Sequence, residues 1–326
     1  MHTAVLLALL MGTMIQPVHG ALDDGDGRPP RPRVLTDFEP GSLRWVTVLD
    51  GVMGGRSSGD FQLVGGRMDF RGVLNTNGGG FSSVRTGDQS MDLTGYRGLR
   101  LRVRADGRSY SLRVRQSGLR GGVSYRASFP TRPSAPGDAQ EPGPCQTIFV
   151  PFTDLTPQWR GRKLDLPPLD PSKVIGLGIT MSDGRDGPFR IELDEIAAYG
   201  PFALDEIRGE RPALVVVGPS ATHPAVLAWA KGLRAASSLA DEKGLLVIQV
   251  AGEGSSFAGE RALSVDEARG VAAQLGLGPG DVGVRLVRVD GSRVFLPAER
   301  VEVPSILERL PARGGPGQRA EPPAGG

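Results

Sequence analysis

Sulfur and imidazole are scarce in this chain of 326 residues, which holds one cysteine, Cys145, and three histidines. Two of the histidines, His2 and His19, fall in the first twenty residues, so His223 stands alone in the body of the chain. A Cys-x-x-Cys redox centre, an internal disulfide and a multi-histidine zinc site are thereby excluded, and a histidine-dependent triad has a single candidate. The formal net charge is only +2, too little for a dedicated nucleic-acid binder. Beyond residue 20 no apolar run is long enough to cross a bilayer core of about 30 Å. What the chain has in excess is glycine and proline, 48 and 27 residues, alongside 39% hydrophobic residues and no collagen period. That composition describes a loop-rich globular protein of about two domains.

The first twenty residues read as an export signal. Residues 4–15 are almost wholly apolar, too short to span a bilayer as a helix but sufficient for a signal-peptide core, and Pro17 breaks the run before a cut ahead of Ala21. The expected location is therefore periplasmic or secreted, in a bacterium. Residues 21–33 and 201–210 are expected to be linkers, and residues 313–326 a disordered tail.

Between these segments the hydrophobic period changes near residue 200. Before it the period is two: Leu99, Leu101 and Val103 alternate with arginines, as do Leu112 and Val114, and Val123, Tyr125, Ala127 and Phe129 continue the pattern. With further candidates at 44–49, 67–73, 81–85, 148–152, 174–181 and 189–196, the reading is nine short strands in a jelly-roll sandwich over residues 34–200. After it, strands at 213–217, 245–250, 284–289 and 293–296 alternate with helices. One helix runs through Val226, Trp229 and Leu233, a second opens on the capping box Ser264-Val265-Asp266-Glu267, and a third covers about 304–310. The order β-α-β-α-β-β-α over residues 211–312 is that of a thioredoxin-like domain. Where such a domain carries Cys-x-x-Cys, this chain reads Pro219-Ser220-Ala221-Thr222-His223-Pro224. Thr222 or His223 is expected to cap the helix, with Pro224 at its first position.

Two stretches carry a resemblance. WVTVLDGVMGGRSSG (residues 45–59) and GGGFSSVR (78–85), followed by DLTGYRGLRLRV (92–103), VPF (150–152) and GPFRIELDEI (187–196), are similar to the signature of the complex I intermediate-associated protein 30 family. Cys145 occupies a position where family members usually carry a tryptophan. The resemblance implies a jelly roll of the galactose-binding kind and a non-catalytic binding role, in mitochondrial members the assembly of respiratory complex I. RPALVVVGPSATHP (211–224) and VRLVRVDGSRVFL (284–296) resemble a thioredoxin-like domain of secreted bacterial proteins.

Candidate contacts come from two features. The loop Asp50-Gly51-Val52-Met53-Gly54-Gly55, with Trp45 before it and Ser57 after, either approaches a ligand closely or is a rigid turn in which Asp50 holds backbone amides and Met53 packs inward. It lacks the lysine of a phosphate-binding P-loop. The second feature is arginine: residues 97–132 hold ten arginines against the single acid Asp106. Alternation places Arg100, Arg102, Arg104, Arg113, Arg115 and Arg126 opposite the core, on one positive sheet face if their strands are neighbours, or on a solvated face neutralised in part by Glu192 and Asp194. Trp45, Tyr96 and Tyr125 offer stacking faces for a sugar.

The expectation is an exported, non-catalytic binding protein, an assembly or chaperone-like factor for an envelope complex, with a carbohydrate-binding module for acidic glycans as the alternative. Its partner is then a protein or an acidic glycan, with no nucleic acid, cofactor, metal or catalytic residue. The contact candidates are Trp45, Asp50, Met53, Gly54, Gly55, Ser57, Arg85, Arg102, Arg104 and Arg113.

Overall fold

The computed structural model describes residues 30–119, 121–133, 142–278, 280–298 and 302–311. The expected signal segment and C-terminal tail lie outside these residues, as does most of the 21–33 linker.

The alternating segments pair as a two-sheet sandwich. In chain order its strands are β1 (Arg33–Thr36), β2 (Trp45–Leu49), β3 (Ser58–Leu63), β4 (Met68–Leu74), β5 (Ser82–Thr86), β6 (Gly98–Ala105) and β7 (Ser109–Gln116). They continue with β8 (Ser124–Pro130), β9 (Gln146–Pro151), β10 (Thr156–Trp159), β11 (Arg162–Lys163), β12 (Val174–Met181) and β13 (Gly187–Tyr199). One sheet has the order β3-β4-β13-β6-β9, with β1 also on β13; the other runs β11-β10-β8-β7-β12-β5-β2. Pairing within both is antiparallel. The inner faces meet in one apolar core that includes Phe70, Leu99, Leu101, Leu112, Val114, Ile179, Phe189 and Ile191. Each such side chain contributes about 1.5–3 kcal/mol on burial. Strands β1, β3, β10 and β11 were not legible as alternating runs: β3, β10 and β11 bury few apolar side chains, β3 and β11 lying at sheet edges and β10 next to one.

The second region has the sheet order β17-β16-β15-β14-β18-β19, from β14 (Ala213–Ser220), β15 (Leu246–Glu253), β16 (Ser256–Ala258), β17 (Arg261–Leu263), β18 (Gly283–Val287) and β19 (Arg293–Leu296). β14 and β15 are parallel, and β18 runs antiparallel to β14. Helices α1 (Pro224–Ala235), α2 (Ser237–Glu242), α3 (Val265–Gln274) and α4 (Val303–Glu308) flank this sheet, so the region is an α/β domain. The α3 capping box forms as read: Glu267 N donates to Ser264 Oγ, and Ser264 N donates to Glu267 Oε2. At α1 the cap is His223, whose Nδ1 accepts from Ala225 N. The β16–β17 hairpin and α2 were not anticipated. Nor is 201–210 a free linker, since Phe202, Leu204 and Ile207 are buried in the core of the α/β domain.

The two domains meet on Arg261, whose side chain is 5% exposed. Its Nη2 donates to Gly200 O (2.8 Å) and to Glu267 Oε1 (2.5 Å), and its guanidinium lies 4.7 Å from the Tyr199 ring and 5.9 Å from that of Phe149. Tyr199 and Phe149 belong to the sandwich. One residue earlier, Glu260 accepts from Thr147 N and pairs with Arg132, so a carboxylate of the α/β domain covers the edge strand β9. Cys145, beside β9, is exposed.

Arg261→Met is expected to strand Glu267 beside the junction and cost about 3 kcal/mol in urea unfolding, splitting one transition into two. The junction also titrates. Burial pushes Glu206 up to about 7, above its ordinary 4.5, against the pull of Arg261. The folded chain then holds that proton more tightly than the unfolded one, so stability falls as pH rises from 4.5 to about 7. Unfolding of Glu206→Gln across this range should show the slope reduced.

Candidate functional site

Asp50 opens a short 3-10 turn, Asp50–Met53, directly after β2, and is wholly buried. Its Oδ1 accepts from Ser57 N (3.0 Å), and its Oδ2 accepts from Ser57 Oγ (2.6 Å), Gly80 N (2.7 Å) and Phe81 N (3.2 Å). Burial works to raise its pKa, but the Ser57 hydroxyl and the Gly80, Phe81 and Ser57 amides outweigh that and hold it below the usual carboxylate range. The glycines around it follow from this close fit: a Cβ on Gly55 or Gly79 would overlap the carboxylate itself. The Asp50 loop and the Gly78-Gly79-Gly80 turn are thus two halves of one clasp, which ties β2 to the segments leading into β3 and β5. Gly54 is exposed and ends the turn in a left-handed conformation. Met53 does not pack inward. It is 48% exposed, because the turn is too short to fold its side chain back over the carboxylate.

Trp45 is corrected as a contact residue. It lies inside the sandwich, 8% exposed and 5.7 Å from the Phe38 ring, because its position on β2 points to the core. Tyr125 is buried as well, its hydroxyl donating to Pro167 O, and Tyr96 is half-buried against the core. None of the three presents an open stacking face.

The arginines divide between the sheets, so the single positive face does not form. Arg100, Arg102 and Arg104 lie on β6, while Arg113, Arg115 and Arg126 lie on β7 and β8 in the opposite sheet. On the β6 side the charges are met by β13: Arg100 pairs with Glu195 (2.7 Å) and Arg104 with Asp194 (3.0 Å), while Arg67 reaches both Asp194 and Glu192. Arg102 is exposed and sits opposite Glu195 in the register. Arg102 and Arg104 therefore belong to a neutralised, solvated face. Asp183, in the turn before β13, is likewise taken up by Arg108 (2.6 Å).

The opposite sheet is different. Across its outer face one register row reads Thr156, Arg126, Arg113, Gly178, Arg85, Val46. The next row reads Ser128, Ser111, Thr180, Ser83, Val48. Three guanidinium groups thus share one row beside a row of hydroxyls, spanning about 14 Å from Arg126 to Arg85 at the spacing of neighbouring strands. Among the described residues none of the three has a carboxylate within ion-pair reach; only Arg115, farther along β7, pairs with Asp88. Their partners are neutral: Arg113 Nη2 donates to Gly122 O (3.2 Å), Arg126 Nε to Ser124 Oγ (3.4 Å) and Arg85 Nε to Ser83 Oγ (2.9 Å). Arg113 is 4% exposed, and its Nε is buried with no partner, as is Thr180 Oγ1. Gly178 lets the Arg85 and Arg113 side chains close in on either side of it, since a Cβ there would crowd the Val84 carbonyl and the Arg85 side chain.

Burial, then the charges of Arg85 and Arg126, press Arg113 down to about 9; burial, then Arg126 and Arg115, press Arg85 down to about 10. Burial also lowers Arg126. At neutral pH all three keep their protons. The trough is therefore a row of desolvated, mutually repelling cations, an arrangement that an anion would relieve. Sequence reading named Arg85 and Arg113 as contact candidates and placed Arg126 on the arginine face without carrying it to that set. The signal for grouping them is the strand register, which is not local.

Residues 36–193, which hold both the clasp and the trough, match the family model of Complex I intermediate-associated protein 30 (CIA30). A search of curated proteins finds no match. Among solved structures the chain is similar to a family 11 carbohydrate-binding module from Clostridium thermocellum in complex with a beta-1,3-1,4-mixed-linked tetrasaccharide. That comparison has 16% identity, covers 52% of this chain and 95% of that one, and has a TM-score of 0.39. A second is the family 11 module of the cellulosomal cellulase Lic26A-Cel5E of the same organism, with 16% identity, 53% and 96% coverage and a TM-score of 0.40. A third is an agarase, with 12% identity, 65% and 32% coverage and a TM-score of 0.37.

The clasp generates a stability test. Asp50→Asn keeps the shape but turns an amide donor toward amides that need an acceptor, and is expected to cost about 2–3 kcal/mol in denaturant unfolding. Because the folded carboxyl is held below its usual 3.8, the wild-type contribution is present above that pH and fades as pH falls further.

Proposed function

We propose that this protein is an exported, non-catalytic binding protein whose arginine trough takes an acidic glycan. The observation that carries the reading is the row Arg126, Arg113, Arg85, desolvated and without a carboxylate among the described residues. A structural role would give these charges counter-ions, as β13 does for β6 on the other face. A binding role leaves them for the ligand. The adjoining hydroxyls of Ser128 and Ser111, the ones in that row that are not fully buried, suit the alcohol groups of a saccharide, and planar guanidinium forks suit its carboxylates. Binding without turnover is supported by Asp50, whose carboxylate is engaged by four donors, and by His223, whose Nδ1 is engaged as a helix cap.

A protein partner is the second reading, favoured by the family description of the match over residues 36–193. For the α/β domain we propose thioredoxin-like ancestry without redox chemistry. The order β15-β14-β18-β19, with β14 and β15 parallel and β18 reversed, supports it, and the sequence at the head of α1 has no sulfur.

Immobilised heparin should retain the protein at low salt and release it as ionic strength rises. Replacing Arg85, Arg113 and Arg126 with Gln should abolish retention, whereas replacing Arg102 and Arg104 should leave most of it. Arg113→Gln should also raise the melting temperature of the unliganded protein, because it removes a buried charge with no counter-ion. Retention unchanged in the triple variant, or a lower melting temperature in the single one, would count against the trough.

A further inference from the structure

The two sheets part along one flank of the sandwich. β10 pairs with β8 only at residues 124–126, so beyond Arg126 the outer edge of β8, residues 127–130, has no strand beside it among the described residues. β9 is the last strand of the other sheet and pairs only with β6. Between these two edges lies a cavity of about 420 Å³, walled by residues 126–130 of β8 and 148–150 of β9. Just past one end Glu260 bridges Arg132 and Thr147 N, and Asp154 and Thr156 stand at the other.

The backbone of both edges is turned toward this space. Thr147 N donates to Glu260 and so points away from β6; a strand repeats every two residues, which turns the N–H and C=O of Phe149 the same way. On β8 the Phe129 carbonyl accepts from Ser109 Oγ on the β7 side, and the Arg126 carbonyl accepts from Thr156 Oγ1 on the β10 side. Alternation then directs the peptide groups of Ser128 into the gap. Thr147 is covered by a carboxylate and Arg126 by β10, whereas Ser128 and Phe149 have no such cover among the described residues.

The side chains sort by face. Ala127 and Ile148 are only partly buried against the core, and with Phe129 and Val150 they make the inner wall of the cavity apolar. The outer rim is polar and positive: Arg126, Thr156, Gln158 and Lys163 lie on the outward face, and the one carboxylate of the lining, Asp154, forms an ion pair with neither cation. Unpaired peptide groups, an apolar inner wall and a cationic rim are together the complement of a strand, not of a sugar. We propose that this gap takes an extended peptide segment of a partner protein, added as a strand along β8, with apolar side chains turned to Ala127 and Ile148 and acidic ones turned to Arg126 and Lys163. Four residues, about 13 Å, fill the open length of β8. The site shares only Arg126 with the arginine trough and stands whether or not the trough takes a glycan.

The full-length mature protein is titrated with a fluorescent peptide alternating Val and Glu, with its Val and Lys counterpart, and with the Val-Glu peptide carrying N-methyl groups on every second amide in either register. The Val-Glu peptide should bind, and both the Val-Lys peptide and one of the two N-methylated peptides should bind about tenfold more weakly or less. Ser128→Pro removes the outward N–H while sparing the β7 ladder, and should lower affinity about tenfold with the melting temperature within a few degrees of wild type. Arg85→Gln, on the far end of the trough, should leave peptide affinity within about twofold, so that loss of the trough and loss of this site are told apart. Hydrogen exchange at the Ser128 and Phe149 amides should be fast in the unliganded protein and slowed by the Val-Glu peptide. Slow exchange without peptide would show that a segment of this chain or a second copy already fills the gap. That result, or equal binding of all the peptides, or no binding of the Val-Glu peptide to wild type, would overturn the proposal.

Discussion

Three cations in one register row, with no carboxylate in ion-pair reach among the described residues, are an electrostatic cost that the rest of the sandwich must offset. The offset is built into the same strands. On β7, Leu112 and Val114 lie fully buried on one side of the pleat while Arg113 stands on the other, and on β8 Tyr125 and Phe129 do the same beneath Arg126. The apolar core below fixes the backbone that holds the guanidinium groups in line, so their mutual repulsion cannot be relaxed by shifting a strand. A slip of one residue would expose the core and bury the charges.

The clasp at Asp50 serves the same end. Arg85 lies four residues after Phe81, whose amide is held by that carboxylate, and β5 pairs with β2 immediately before Asp50. One buried carboxylate with four donors therefore anchors the strand that carries the far end of the trough. This explains why the most distinctive motif of the chain, DGVMGG with GGGF, is a structural device: its glycines make room for an anion that belongs to the protein itself. At the other side of the sandwich, Arg261 and Glu260 tie β9 and Tyr199 to the α/β domain through groups with buried or capped partners, in contrast with the trough.

Much of this was legible in one dimension. The period of two in residues 99–129, the strand at Val174–Met181, the capping box at Ser264 and the change to alternating strands and helices after residue 200 all follow from local spacing. The edges were not legible, since short strands such as β10 and β11 bury too little to leave a pattern. The half-exposed Trp159 was hidden for that reason: its indole donates to Gly121 O, 38 residues away.

The sequence by itself determined which face of each strand an arginine would occupy, because alternation is a property of the backbone. It also determined that thiol chemistry is absent from the head of α1 and that a glycine-rich acidic loop follows β2. Only the tertiary structure decided which arginines became neighbours. Pairing of β6 with β13 placed acids beside Arg100 and Arg104, and pairing of β7 with β12 and β8 placed glycine and more arginine beside Arg113. Strand pairing joins residues far apart in the chain, so like charges with the same local pattern reached opposite electrostatic ends: one set paired with acids, the other, among the described residues, with neutral groups alone.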